Sequence, residues 1–146
     1  KKVEINIPKG VDNEQYITIK VEYTNLYVFI YIDKHDVFDR DNNNLFCKTT
    51  IDLSTAILGG EVEIPTISSK AKLKIPPGTQ SHTIFKLKGQ GMYELHSNKR
   101  GDQLVKVVVD IPEKLSKKQE NLIKEAFPTG KEEAETKKGF FERLRE

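Results

Sequence analysis

The stretch VEINIPKGV at residues 3–11 returns as AKLKIPPGT at residues 71–79, an offset of 68 positions with no gap. Further on, YITIK at residues 16–20 returns as IFKLK at residues 84–88. Apolar residues occupy every second position on both sides of a Pro-x-Gly turn, which is the pattern of two strands with one buried face. Each copy is therefore predicted to be a hairpin-like unit of a β domain.

A third strand is predicted in each copy, at residues 26–32 in the first and at residues 104–111 in the second. The loop before this strand is about ten residues shorter in the first copy. It passes through Tyr23-Thr24-Asn25, which lacks the glycine that a tight hairpin usually needs. We therefore expect a flexible loop at this point, whose residues are absent from the sequence.

Residues 45–69 add a strand, a helical turn and another strand in front of the second copy, whereas the first copy begins at residue 3. Because each repeated unit must bury its own apolar face, the counterpart of this segment is expected upstream of Lys1, over roughly 25 residues. We therefore expect the chain to be a fragment of a longer protein.

The composition indicates small domains with much exposed surface. Hydrophobic residues make up 36% of the 146 residues and charged residues 32%, which favours elongated modules over one large core. The net charge of +2 is too small to indicate a nucleic-acid partner, and no apolar run reaches membrane-spanning length. Cys47 is the only cysteine, so neither an internal disulfide nor a cysteine zinc site can form. Because it alternates with Leu45 and Ile51, we predict a buried core thiol.

Turn-forming residues at positions 33–44 mark the predicted boundary between two β domains, and Pro112 ends the last strand. The predicted division is a first β domain at residues 1–43, a second at residues 44–112 and a helical C-terminal segment at residues 113–146.

Two helices are predicted outside the strands. One helical turn starts at the N-cap Ser54 and stops at Gly59-Gly60. A longer helix starts with a capping box in which Ser116 pairs with Gln119. Large apolar residues on this helix and in the short amphipathic segment after it need a partner, which predicts a homodimer. They are Leu115, Leu122, Ile123, Phe127, Phe140, Phe141 and Leu144.

No residue pattern in the chain predicts catalysis. His35, His82 and His96 lie in three separate loops or turns without metal-ligand spacing, so each is interpreted as a solvated histidine. Gly89-Gln90-Gly91 matches half of a dinucleotide-binding motif, but no third glycine opens a helix, so it is interpreted as a turn. The chain is predicted to be no enzyme and to hold no metal or cofactor of its own.

Five lysines are predicted to alternate on one face of two adjacent strands, where they could follow a phosphate backbone. No aromatic residue lies among them to stack on bases, so a solvated sheet face is the favoured interpretation. They are Lys70, Lys72, Lys74, Lys86 and Lys88.

Phe38 is a large aromatic residue inside the hydrophilic connection at residues 33–44. It either plugs the junction between the two domains or lines a site for an apolar ligand. The residues by themselves leave both interpretations open.

Short motifs occur in order along the chain: IPKGVD (7–12), HDVFDR (35–40), AILGG (56–60), PTI (65–67), IPPGTQ (75–80), LKGQGM (87–92), RGDQLV (100–105), LSKKQ (115–119) and GFFERL (139–144). Together they resemble the C-terminal client-binding region of the DnaJ family of J-domain co-chaperones, in its zinc-finger-containing bacterial and organellar branch. The resemblance covers nearly the whole chain.

The resemblance implies a mainly β fold of two tandem β-sandwich-like barrel domains, followed by a C-terminal dimerisation helix. Such an arm of a homodimer would hold unfolded polypeptide and deliver it to a DnaK-type ATPase chaperone. In the family, a client segment joins the first barrel domain as an extended strand, and Val3 and Phe38 match positions of its groove. The J domain and the zinc-binding cysteines of the family have no counterpart in these residues, so zinc is expected upstream.

Two other interpretations stay open. The chain could be a purely structural dimerisation module, since part of the groove wall is expected upstream of residue 1. It could also be a nucleic-acid-binding β module that uses the lysine face, although neither nucleic acid nor a membrane is an expected partner. The resemblance implies a stress-related protein of the cytoplasm, or of a mitochondrial or other organelle matrix.

Overall fold

The computed structural model describes residues 2–128 and divides the chain into two compact units. In its described residues, the first unit, Lys1–Asp110, contains eight strands and one short helix, and the second unit, Ile111–Glu146, contains one helix. The structure is mainly β with several sheets, which confirms the predicted fold class. The finer division of the first unit after residue 43 stays a prediction.

Strands β1 (Tyr16–Val21) and β2 (Thr24–Phe29) form an antiparallel hairpin in the first copy. Ile17 and Ile19 are half-buried on one face, and the residues between them face the other way. The alternating pattern therefore identified both strands, although β2 is shorter than the predicted strand at residues 26–32.

The two strands are joined by a two-residue turn, Glu22-Tyr23, beside which Val21 pairs with Thr24. Glu22 adopts a φ of 53°, the left-handed region that such a turn requires and that glycine usually fills. The expectation of a missing flexible loop is wrong, because a glutamate takes the left-handed position and the hairpin closes without a glycine.

The second copy and the segment before it build two further sheets. Their elements are β3 (Asp39–Asp41), β4 (Asn44–Asp52), α1 (Leu53–Leu58), β5 (Gly60–Pro65), β6 (Lys70–Ile75), β7 (Thr83–Leu87) and β8 (Gln103–Asp110). A four-stranded sheet has the order β3-β4-β8-β7, in which β4 and β8 are parallel and the other neighbours are antiparallel. A separate two-stranded sheet pairs β5 with β6.

The Pro-x-Gly turn of the second copy links two sheets and does not close a hairpin. β6, before the turn, pairs with β5, whereas β7, after the turn, pairs with β8. The predicted hairpin-like unit is therefore wrong in its pairing, because alternation identifies a strand but not its neighbour. Residues 2–7, the first-copy counterpart of β6, pair with no strand in the described part of the chain.

The core gathers side chains from β4, α1, β5, β6 and β8. Gln103, at the start of β8, is fully buried, and its side-chain amide donates to the Pro65 carbonyl at 2.9 Å and to Cys47 Sγ at 3.3 Å. Burial raises the pKa of the Cys47 thiol, an effect that outweighs the hydrogen bond from Gln103. Cys47 is therefore the buried core thiol that the sequence predicted. The buried apolar residues are Leu45, Cys47, Ile51, Ala56, Ile64, Leu73, Ile75, Val105 and Val107.

Helix α1 begins after the N-cap Asp52, so the predicted N-cap Ser54 lies inside the helix. The prediction fails because the extended backbone ends at Asp52, two residues earlier than expected. Gly59 ends the helix with a φ of 82°, as predicted. The amides of Gly78 and Thr79, in the turn after β6, donate to carbonyls of the last helical turn.

The five lysines do not share one face, because β6 and β7 belong to different sheets. On the β5–β6 sheet, Lys72 lies opposite Glu63 and Lys74 lies opposite Glu61. Lys70 Nζ lies 3.8 Å from Glu63 Oε2. The basic face predicted from alternation is therefore interleaved with acidic residues from the neighbouring strand.

Helix α2 (Lys117–Ala126) belongs to the second unit and starts with the predicted capping box. The Gln119 amide donates to Ser116 Oγ at 3.2 Å, and the Ser116 amide donates to Gln119 Oε1 at 2.9 Å. Two backbone donors at the start of the helix are thereby satisfied, which confirms the predicted helix start.

Two loops of the four-stranded sheet meet without room for a side chain. A Cβ added to Gly91 or Gly101 would collide with the Asn43 carbonyl, which accepts the Met92 amide at 2.8 Å. The turn between β3 and β4 therefore packs directly on the backbone of the long loop between β7 and β8.

Replacing Gly101 with Ala is expected to destabilise the chain by about 1–3 kcal/mol, as for other overpacked sites, because its Cβ would meet backbone atoms. Gly60→Ala is the matched control, since the nearest atom to its Cβ would be Thr55 Cγ2 at an ordinary 3.5 Å. Urea unfolding measures both changes. If the two variants were equally stable, the contact with Asn43 would be looser than the structure shows.

Candidate functional site

A groove of about 940 Å³ opens between the turn at residues 8–13, the connection at residues 32–40 and the end of β5. More of its lining is apolar than polar. A site of this size and character suits apolar side chains better than a small charged molecule. Its apolar lining residues include Val11, Ile32, Val37, Phe38, Leu45 and Ile67.

Phe38 forms part of the groove wall and also packs against the hydrophobic core. Its ring centroid lies 5.2 Å from that of His35. His35 Nδ1 accepts the amide N–H groups of Val37 at 3.0 Å and Phe38 at 3.3 Å, which holds the turn that presents the ring. Phe38 therefore both packs on the core and lines the groove, so both interpretations of this residue stay predictions. The exposed His35 has a structural role beside it.

Arg40 holds two sides of the groove together. Its guanidinium donates to the carbonyls of Val11 at 2.8 Å and Gly10 at 3.1 Å, and it lies 3.7 Å from the Asp12 carboxylate. Its Nε donates to the Asn42 carbonyl at 2.7 Å. Arginine can do this because its planar fork carries five N–H donors. Arg40 therefore ties the HDVFDR motif to the IPKGVD motif of the first copy.

The end of β5 supplies a third side of the groove. Pro65 and Ile67 line it on either side of Thr66, whose hydroxyl donates to the Ser69 carbonyl at 3.0 Å. The Pro65 carbonyl accepts the buried amide of Gln103, so the PTI motif is held from the core side. Ile67 is 51% exposed and offers an apolar surface to the groove.

The structure places one of the two predicted client-binding residues in the groove. Phe38 lines it, whereas Val3 is exposed on residues 2–7 and lies outside the lining. The role of Val3 stays a prediction. The sequence analysis did not identify Ile32, Val37 and Ile67 as groove residues. A sequence motif does not show which side chains come to lie on the same surface of the fold.

The zinc site that the resemblance implies for the family is expected upstream of these residues, and this expectation stays a prediction. Within residues 2–128, no three His, Cys, Asp or Glu side chains are grouped so that they could hold a metal ion. Cys47, the one cysteine, is buried in the core. Across the same residues, no helix combines the length and the apolar character needed to cross a membrane.

The predicted dimerisation residues that the structure describes are exposed. Leu122 is 53% exposed, Ile123 is 40% exposed and Phe127 is 59% exposed, and Leu115 is exposed as well. Phe140, Phe141 and Leu144 lie outside the described residues. The assignment of all seven to a dimer interface stays a prediction.

Replacing Arg40 with Lys is expected to destabilise the chain by roughly 2 kcal/mol, because charge-assisted bonds to the carbonyls of Gly10 and Val11 are lost. Lys34→Ala is the control, since Lys34 lines the same groove but is exposed, and its loss is expected within about 0.5 kcal/mol of neutral. Thermal unfolding compares the two. An Arg40→Lys variant as stable as the control would mean that the guanidinium does not hold the groove walls.

Known proteins match this chain over its whole length. It is similar to the Chaperone protein DnaJ of Ruminiclostridium cellulolyticum, with 39% identity over 156 positions that cover 100% of this chain and 41% of that protein. The same protein of Caldicellulosiruptor bescii is 40% identical, with 100% and 40% covered, and that of Rhodospirillum centenum is 41% identical, with 100% and 41% covered. The chain thus spans about two fifths of the length of these relatives.

The alignment with the first of these relatives runs to 156 positions against 146 residues in the chain, so that relative carries at least ten more residues over the same region. A closed two-residue turn between β1 and β2, where the repeat shows the first copy to be shorter, agrees with that difference. The family described as DnaJ C terminal domain matches residues 1–112. Because this match runs through both copies of the repeat and covers most of the chain, the chain belongs to the DnaJ C terminal domain family.

Proposed function

We propose that this chain is the client-holding and dimerising part of a DnaJ-type co-chaperone, whose groove around Phe38 binds apolar segments of unfolded polypeptide. The whole protein would deliver these clients to a DnaK-type ATPase chaperone, in the cytoplasm or in an organelle matrix. The observation that carries the proposal is the half-buried Phe38 ring in the wall of an apolar groove of about 940 Å³. The name of the relatives, Chaperone protein DnaJ, supports it.

An extended segment suits this groove better than a compact ligand. Among the described strands, β3 pairs with β4 alone, so its other edge is open directly after Phe38 in the chain. An added strand can take backbone hydrogen bonds from such an edge while its alternate side chains enter the groove. Apolar contacts do not depend on one particular sequence, which suits a protein that accepts many unfolded chains.

Two polar side chains of the groove, Arg40 and His35, take part in contacts that build its walls. Arg40 is engaged by two carbonyls and the Asp12 carboxylate, and His35 Nδ1 is engaged by two backbone amides. A general acid or base needs a free position directed at a substrate. These side chains instead build the walls against which an apolar segment can pack.

Two rival functions have less support from the described residues. A purely structural dimerisation module would not need an open apolar groove, although the contact of Phe38 with the core suits it. A nucleic-acid-binding module would need free lysines on one face, whereas Lys72 and Lys74 lie opposite glutamates.

Light scattering of a denatured client distinguishes the proposed function from the first rival, because a bare dimerisation module would not suppress aggregation of the client. Salt-dependent binding of oligonucleotides tests the second rival.

Replacing Phe38 with Ala is expected to weaken binding of an apolar peptide by about tenfold, because aromatic residues in packed sites dominate binding energies. Since its ring also packs on the core, the variant is expected to lose roughly 1–3 kcal/mol of stability. Fluorescence anisotropy of a labelled apolar peptide, corrected for the folded fraction, measures the affinity.

Phe85→Ala is the matched control for this experiment. Phe85 is half-buried against the same core but does not line the groove. The control should lose stability and keep the affinity of the unaltered chain. If the two variants bound the peptide equally well, Phe38 would be part of the fold only and the site would be wrong.

Removing the chain from Leu115 onward is expected to convert a dimer into a monomer in sedimentation experiments. Burying side chains such as Leu122, Ile123 and Phe127 stabilises an interface by roughly 1.5–3 kcal/mol each before the entropy of association is subtracted. Lys118→Ala, an exposed change on the same helix, should leave the dimer intact. A dimer that survives the deletion would place the interface elsewhere.

A further inference from the structure

We propose that a pocket between the first-copy turn and the loop at residues 93–100 binds an oxyanion, either free phosphate or a carboxylate of an acidic polypeptide. The pocket has a volume of about 380 Å³. Of the described lining residues, it shares only Pro8 with the groove described above, so it is a separate site. Its lining residues are Pro8, Lys9, His96, Ser97 and Asn98.

The polar side chains of this pocket can all donate hydrogen bonds. Lys9 carries three ammonium N–H groups, Asn98 carries an amide NH₂ and His96 carries at least one ring N–H. Ser97 Oγ accepts the Lys99 amide at 3.1 Å, which leaves its O–H free to donate to a ligand. Among the residues that the structure describes, no carboxylate lines the pocket. Convergent donors with one fixed positive charge favour an anion over a neutral or cationic group.

Two cations meet at one aromatic ring beside the pocket. Lys9 Nζ lies 4.9 Å from the centroid of the Tyr93 ring, and Arg100 Cζ lies 4.8 Å from it. The ring attracts each cation, and the Arg100 guanidinium also donates to the Gly91 carbonyl. In the described part of the chain, neither cation forms an ion pair with a carboxylate. The positive charge beside the pocket is therefore available to a bound anion.

The backbone on both sides of the pocket is already in place. Gly10 has a φ of 84°, and a Cβ there would collide with the Tyr93 carbonyl, so the turn and the loop touch through their backbones. The loop is closed by the Glu94 amide, which donates to the Lys99 carbonyl at 2.8 Å, and His96 takes the left-handed conformation with a φ of 60°. A preformed pocket loses little conformational entropy when a ligand binds.

Titration of the ¹⁵N-labelled 146-residue chain with inorganic phosphate, at constant pH and low ionic strength, tests the proposal. We expect saturable shifts of backbone amides confined to residues 9–10 and 95–99. Lys9→Glu is expected to weaken phosphate binding by about tenfold or more, because it replaces the cation in the lining by an anion. Lys20→Glu is the matched control, since Lys20 lies on β1 opposite Asn25 and does not line the pocket.

A second variant tests whether the Lys9→Glu substitution acts on the pocket only indirectly. Asn98→Asp puts a carboxylate into the pocket, keeps the contact between Lys9 and Tyr93, and should weaken phosphate binding as well. A Glu-rich peptide that displaces phosphate from the same amides assigns the site to an acidic polypeptide, whereas binding of phosphate without such competition assigns it to the free anion. Shifts that never saturate, or that persist unchanged in both variants, would show an adventitious ion only and overturn the proposal.

Discussion

The parallel pairing of β4 with β8 is the interaction on which the rest of the first unit depends. It runs from Leu45 opposite Gln103 to Asp52 opposite Asp110 and joins segments that are far apart in the chain. These two strands supply most of the buried apolar residues, and α1 and the β5–β6 sheet pack against them. Closing so long a loop is costly in entropy, so the ladder and the core that it creates must form together.

The groove is a consequence of that pairing. Leu45 begins the ladder and also lines the groove, Gln103 holds Pro65 from within the core, and Phe38 packs on the same core from outside. The first-copy turn is attached through the hydrogen bonds of Arg40 and through the backbone contact of Gly10 with Tyr93. The groove therefore has one side that belongs to the core and one side that depends on these few contacts.

Local patterns in the sequence predicted local structure well. Alternation predicted most of the strands, although residues 2–7 form none and β3 was not predicted. The Ser116 and Gln119 pair predicted the start of α2, and the position of Cys47 predicted a core thiol. Two wrong predictions concern which strands are neighbours in a sheet. β6 does not pair with β7, and the five lysines therefore do not share a face, because the partner of a strand is determined by the packing of the whole core. Phe38 could be recognised as a single aromatic residue in a polar connection, whereas nothing in the sequence marked Ile32 and Ile67, which line the same groove. The left-handed backbone conformation of Glu22 was not predicted, because residue propensities assign such a position to glycine. The surrounding hairpin can tolerate one residue in this less favourable conformation.

Hydrogen exchange of the chain with and without a saturating apolar peptide tests the central claim most directly, because it locates the peptide without any substitution. A peptide that enters the groove as an extended strand is expected to slow exchange of amides at residues 32–41 and 65–67, with little change in β7 or β8. Protection spread evenly over the first unit, or confined to residues 117–126 of α2, would contradict the groove as the site of client binding.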